Sequence, residues 1–109
     1  MMKAVEGIRQ LKGRAAKCGV SGGREYNPGW HTAIDLNNLL TVSEAISLAA
    51  IQRKESRGAQ FRDDYPSKSD EFAKFNHVVR KGADGSMQVH RQPVTPLRED
   101  LKAVIEENK

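Results

Sequence analysis

The chain is 109 residues long, 38% hydrophobic and 29% charged, with 18 Lys and Arg against 14 Asp and Glu. One domain with a modest core fits that length and balance, and a disordered chain does not. The formal charge of +4 is too interspersed to mark a nucleic-acid surface: Arg62 stands beside Asp63, Arg98 beside Glu99, and Lys54 beside Glu55.

No apolar run approaches the roughly 18–20 residues that span a bilayer. The N-terminal "MMKAVEGIRQLKGR" alternates charged and apolar residues, unlike a secretory signal, so an intracellular location is the expectation. Cys18 is the only cysteine, which excludes an intrachain disulfide and a thiolate zinc site.

From Lys3 to Lys17, Val5, Ile8, Leu11 and Ala15 recur every three or four residues, which predicts a helix with one apolar stripe. "CGVSGG" breaks it. "YNPGW" then predicts a helix start, with Asn27 as the cap and Pro28 at the first helical position, where a missing N–H costs nothing. The helical pattern continues to about Arg57 and stops at Gly58, the usual left-handed terminator. Arg53, Lys54 and Arg57 would then oppose the negative end of the helix dipole.

This long helix is apolar on most of its circumference. Leu39, Val42, Ile46 and Ala49 form one stripe, widened by Leu36 and Leu40, while Thr41 and Glu44 begin a polar line. One turn pair later the same direction carries Leu48 and Ile51, so these two are expected to need cover. Either the first helix or the hairpin covers them, or they mark a contact with another body.

"SKSDEFAKF" predicts a short helical turn from Ser69 or Asp70. "FNHVVRK" and "SMQVHRQPV" flank "GADG" as a hairpin, with Val79 against Met87 and Val89, and Pro93 ending the second strand. "TPLREDLKAVIEENK" predicts a last helix, capped by Thr95, opened by Pro96, with Leu97, Leu101, Val104 and Ile105 on one side. The expected fold is mainly α: residues 1–109 as a single domain, a small helical bundle around one long central helix, with a β-hairpin and a C-terminal helix.

No phosphate-cradling glycine motif is present, because "SGGRE" follows no strand and "GADG" sits in the hairpin. His31, His77 and His90 are scattered; His77 and His90 could face each other across the hairpin, but two histidines without a third ligand are more often surface residues. Asp63 and Asp64 are loop neighbours that point apart, which disfavours a two-carboxylate mechanism. The dense stretch "KESRGAQFRDDYP" admits two readings. Arg57 and Arg62 could grip an anion, or they could pair with Asp63, Asp64 and the helix carbonyls and lock the turn. The second is favoured, with Arg57 as the strut.

The stretch "NPGWHTAIDLNNLLTVSEAISLAAIQRKESRGAQFRDDYP", with the "HRQPV" strand, resembles the C-terminal domain of the flavoprotein subunit of succinate dehydrogenase and fumarate reductase, and more distantly L-aspartate oxidase. The likeness runs from about Val5 to Leu101. It is most specific at Glu55, Ser56, Arg57, Gly58, Arg62, Asp63, Tyr65 and Pro66, and departs where Gln60 replaces a common histidine.

The resemblance implies a non-catalytic domain with no catalytic, cofactor or metal residues of its own. FAD would be held by the parent flavoprotein, whose FAD-binding and capping domains, and the iron-sulfur subunit beyond them, are the implied partners. Leu48, Ile51, Glu55, Arg57, Gly58, Arg62, Asp63, Asp64 and Tyr65 become the expected interface or strut residues. The implied location is the cytoplasm, or the inner face of the membrane through the parent complex, with self-association when the domain is isolated. A free-standing interaction or assembly module, and a small basic nucleic-acid binder, are the competing readings.

Overall fold

The computed structural model describes residues 1–108. Helix α1 spans Met2–Ala15, α2 spans Pro28–Gln52, strands β1 (Phe75–Lys81) and β2 (Met87–Pro93) form an antiparallel ribbon after a 3₁₀ turn at Phe72–Lys74, and α3 spans Glu99–Glu107. The architecture is mainly α with a small hairpin, as the hydrophobic periodicities predict.

Asn27 caps α2 as expected. Its backbone is extended, its side-chain oxygen accepts from the Gly29 N–H at 3.1 Å, and Pro28 opens the helix. The same amide donates to the carbonyls of Ser21 and Gly23, which ties the preceding loop to the helix start.

Helices α1 and α2 run antiparallel. Met2 lies beside Ile51, Arg9 and Lys12 beside Glu44, and Leu11 and Ala15 beside Leu36 and Leu40. Val5, Ala15 and Leu40 are buried at this seam. Glu44 is buried with them, its carboxylate taken by Arg9 at 3.2 Å and Lys12 at 2.5 Å. A buried carboxylate is tolerated only when paired, so the polar position that begins the predicted solvated line faces α1 instead.

The hairpin covers a second side of α2, where Thr41 and Ala45 share a depression with Val79 and Met87. Val79 pairs with Val89 and Lys81 with Met87, and Pro93 is the last paired residue, as predicted. Gly82 and Gly85 close the connecting turn, Gly85 at φ +80°.

Three expectations are corrected. The helix stops at Gln52 rather than near Arg57, with Arg53 as its extended C-cap, so no basic residue stands in its last turn. Helix α3 starts at Glu99, so Thr95 and Pro96 precede it, and its N-cap, Arg98, makes no side-chain capping bond. Finally, α2 reaches a mean hydropathy of 1.2 over 18 residues, long and apolar enough to cross a membrane by composition, although no uninterrupted apolar run does so. On one side this helix carries Glu44, ion-paired to Arg9 and Lys12 of α1.

Candidate functional site

Residues 53–69 fold into a compact latch across the end of α2, and the chain chemistry concentrates there. Arg57 and Gln60 pair through reciprocal backbone bonds of 2.9 and 3.1 Å, closing a tight turn. Gly58 has φ +59° in this turn, a conformation that glycine adopts without steric penalty. Its left-handed geometry was legible in the sequence, but it reverses the chain six residues beyond the helix rather than ending it.

Glu55 sits at the centre with 0% of its surface exposed. Oε1 accepts from the guanidinium groups of Arg53 and of Arg57, the latter at 3.0 Å, and Oε2 accepts from the Ser69 N–H at 2.8 Å. The Arg57 hydrogen bond, helped by the Ser69 amide and Arg53, holds this carboxyl at about 2 despite burial. Arg57 reaches on to the Ser69 carbonyl at 3.1 Å, and Arg53 to the carbonyls of Phe72 and Phe75 at 3.4 and 3.3 Å.

Arg62 locks the other side. Its Nη1 donates to the carbonyls of Ala50, Ile51 and Arg53 at 2.9, 2.9 and 3.0 Å. These include carbonyls that a helix end leaves without partners. Its Nε and Nη2 grip Asp64 in a fork at 2.9 and 2.6 Å, and its guanidinium lies 4.7 Å from the Tyr65 ring centroid. Ser56 Oγ donates to the Tyr65 carbonyl and accepts from the Arg62 N–H, both at 2.8 Å. Gln60, in the place of the common histidine, donates to the carbonyls of Arg53 and Glu55 at 3.3 Å each.

The arginines are therefore engaged internally, but not as assigned. Arg62, not Arg57, holds the helix carbonyls and Asp64, whereas Arg57 pairs with Glu55. Asp63 is exposed, lining an open depression of about 460 Å³ with Met1, Met2, Ile51 and Phe61. The sequence placed Glu55 in the motif without its role as the hub. Its position two residues from both Arg53 and Arg57 was the available signal.

Leu48 and Ile51 are half-buried. The uncovered face is the one taken for the principal stripe: Leu39, Val42 and Ile46 are 64, 56 and 63% exposed. The exposed leucine, valine and isoleucine follow one another by three and four residues, so they share a face roughly opposite Leu40 and Glu44. α3 carries no buried residue; Leu101, Val104 and Ile105 along it, and Leu97 just before it, remain exposed. His77 pairs with Arg91 and Val78 with His90, so the two hairpin histidines occupy opposite faces. Among the described residues no group of three His, Cys, Asp or Glu could hold a metal.

Residues 1–104 match the family described as "Fumarate reductase flavoprotein C-term". The chain belongs to that family. The fumarate reductase flavoprotein subunit of Mycobacterium tuberculosis is 36% identical over 90% of this chain and 17% of its own length. L-Aspartate oxidase of Streptomyces coelicolor is a more distant relative, 29% identical over 83% of this chain and 15% of its own length. A solved structure of Mycobacterium smegmatis Sdh1 in complex with UQ1 superposes with a TM-score of 0.85 at 38% identity, covering 98% of this chain and 18% of that one. This chain thus spans about one-sixth of the flavoproteins it matches.

The described residues contain no dinucleotide-binding unit of the usual kind. Gly19, Gly22 and Gly23 lie in a loop that follows α1 rather than a strand, and the two strands form an antiparallel ribbon. The parallel strand–turn–helix unit that seats a pyrophosphate is not among them.

Proposed function

We propose that this chain is the non-catalytic helical domain of a flavoprotein that interconverts succinate and fumarate, packing on its FAD-binding domain and facing its partner subunits. The supporting observation is the bare stripe of Leu39, Val42 and Ile46 on a helix that meets α1 at Leu40 and Glu44 and the hairpin at Thr41 and Ala45. A contiguous apolar face of this kind marks a contact surface. The latch, with its arginines saturated by Glu55, Asp64 and backbone carbonyls, serves as the rigid corner that aims α2 at that neighbour. The same saturation commits the charges of the latch arginines to Glu55 and Asp64 rather than to a phosphate backbone. The domain works on the cytoplasmic side, held to the membrane only through the parent complex.

The test is a chimera in which this segment replaces the matched segment of the Mycobacterium tuberculosis flavoprotein. It should fold, retain flavin and oxidise or reduce dicarboxylate. Leu39→Asp, Val42→Asp and Ile46→Asp together should abolish that assembly while leaving the helical circular dichroism of the separate chain intact. Flavin bound by the separate chain, or normal assembly of the triple variant, would overturn the proposal.

A further inference from the structure

We propose that His77 is a proton-operated catch, holding the hairpin against the Phe72–Lys74 turn while its imidazole is neutral and releasing it on protonation. Both ring nitrogens are buried and have no hydrogen-bond partner, although a neutral imidazole always carries one donor and one acceptor. The ring is held instead by aromatic contact. Phe72 stacks on it at 6.1 Å between centroids, and Phe75 meets it edge-on at 5.3 Å.

Cations face it from two elements. Arg53, at the end of α2, bonds the carbonyls of Phe72 and Phe75, and Arg91 stands opposite His77 in β2. Arg91 is stacked 5.3 and 4.4 Å from the centroids of Phe72 and Phe75 and pairs with Glu71 at 3.6 Å. The one acidic group that would favour an imidazolium, Glu55, already accepts from Arg53, Arg57 and Ser69. Burial, then Arg53 and Arg91, lower the His77 pKa from its ordinary value, opposed in part by Glu55.

A second proton therefore has no acceptor in the cluster and two guanidinium groups beside it. The imidazolium gains most by swinging out to water, which separates β1 from Phe72 and from the arginine that links it to the latch. Because the open form binds the proton more tightly, the closed form is stable above the ordinary histidine range. It loses stability as pH falls toward the lowered midpoint.

Imidazole C–H resonances and amide exchange of the full chain, followed from about pH 7 to about pH 5, test this. His77 should titrate below the ordinary histidine value. Opening of β1 and β2, corrected for intrinsic exchange, should rise by about tenfold for each pH unit separating the open and closed midpoints, while α1 and α2 keep their protection. His77→Phe preserves ring volume and should remove the acid dependence of the hairpin. Titration of His77 at the ordinary histidine value, or acid loosening that persists in His77→Phe, would overturn the proposal. Should the phenylalanine variant not fold, Arg91→Gln decides. It should raise the His77 midpoint toward the ordinary histidine value, and an unmoved midpoint would count against the catch.

Discussion

A carboxylate with no exposed surface persists only if its oxygens are answered, and Glu55 meets that condition with two guanidinium groups and one amide. Its lowered pKa carries a definite pH signature. Its folded value of about 2 lies below the ordinary 4.5, so its contribution is complete above the ordinary value and disappears as pH falls toward the folded one. Glu55→Gln should therefore flatten the acid limb of a stability–pH profile measured by urea unfolding, and an unchanged limb would refute the assignment. The arginines rank in the reverse of the order that the sequence suggested. Arg62 is buried and holds three carbonyls and Asp64, so Arg62→Ala should cost roughly 3 kcal/mol. Arg57→Ala should cost less, because Arg53 and Ser69 still hold Glu55, and equal losses in the two variants would contradict the geometry. Lysine should not rescue Arg62, since a point ammonium cannot fork onto Asp64 while reaching the helix carbonyls.

Elements whose causes are local were legible. The start of α2 follows from Asn27 and Pro28, and the hairpin follows from alternating residues about a glycine-bearing turn, with Pro93 at its close. The end of α2 was not legible, for a physical reason. Gly58 has the positive φ that both a helix stop and a tight turn require, and the glycine alone does not distinguish them. What moved the stop back to Gln52 is distant in sequence: Arg62 folds back to take the carbonyls of Ala50 and Ile51, and an arginine at that position replaces a terminal glycine. The beginning of α3 failed similarly, because Thr95 and Pro96 have the composition of a cap without its geometry and the helix starts after Arg98. The histidines of the hairpin were placed on the right ribbon but not on the right faces, since a one-residue offset in register puts neighbouring pairs on opposite sides.

The whole molecule is extended. Its radius of gyration is 19.7 Å, where about 13 Å is usual at this length. It exposes 8709 Å², against about 6,000 Å² for a compact monomer of this mass. The excess is about threefold what one partner contributes to a standard interface, roughly 800 Å². The apolar exposure is also spread over α2, α3 and the Met1–Phe61 side rather than gathered in one patch, which suits enclosure by a larger body better than a single twofold contact. The separate chain should self-associate in a concentration-dependent way in sedimentation velocity. Val42→Glu should reduce that association, and a clean monomer at all concentrations would argue against the exposed stripe.

The order of residues by itself determined the helix start, the hairpin, the mainly α class and the motif by which the family is known, because each depends on neighbours within a turn or two. It also determined that α2 is greasier around its girth than so short a chain can cover. Only the tertiary structure decided which face is left bare and which charge pairs with which. Glu44 turned inward because α1 brings Arg9 and Lys12 to it, and with that seam set, Leu39, Val42 and Ile46 were left facing solvent. The rotation of a helix about its axis is set by what packs on it, and α1 and the hairpin reach α2 from opposite ends of the chain.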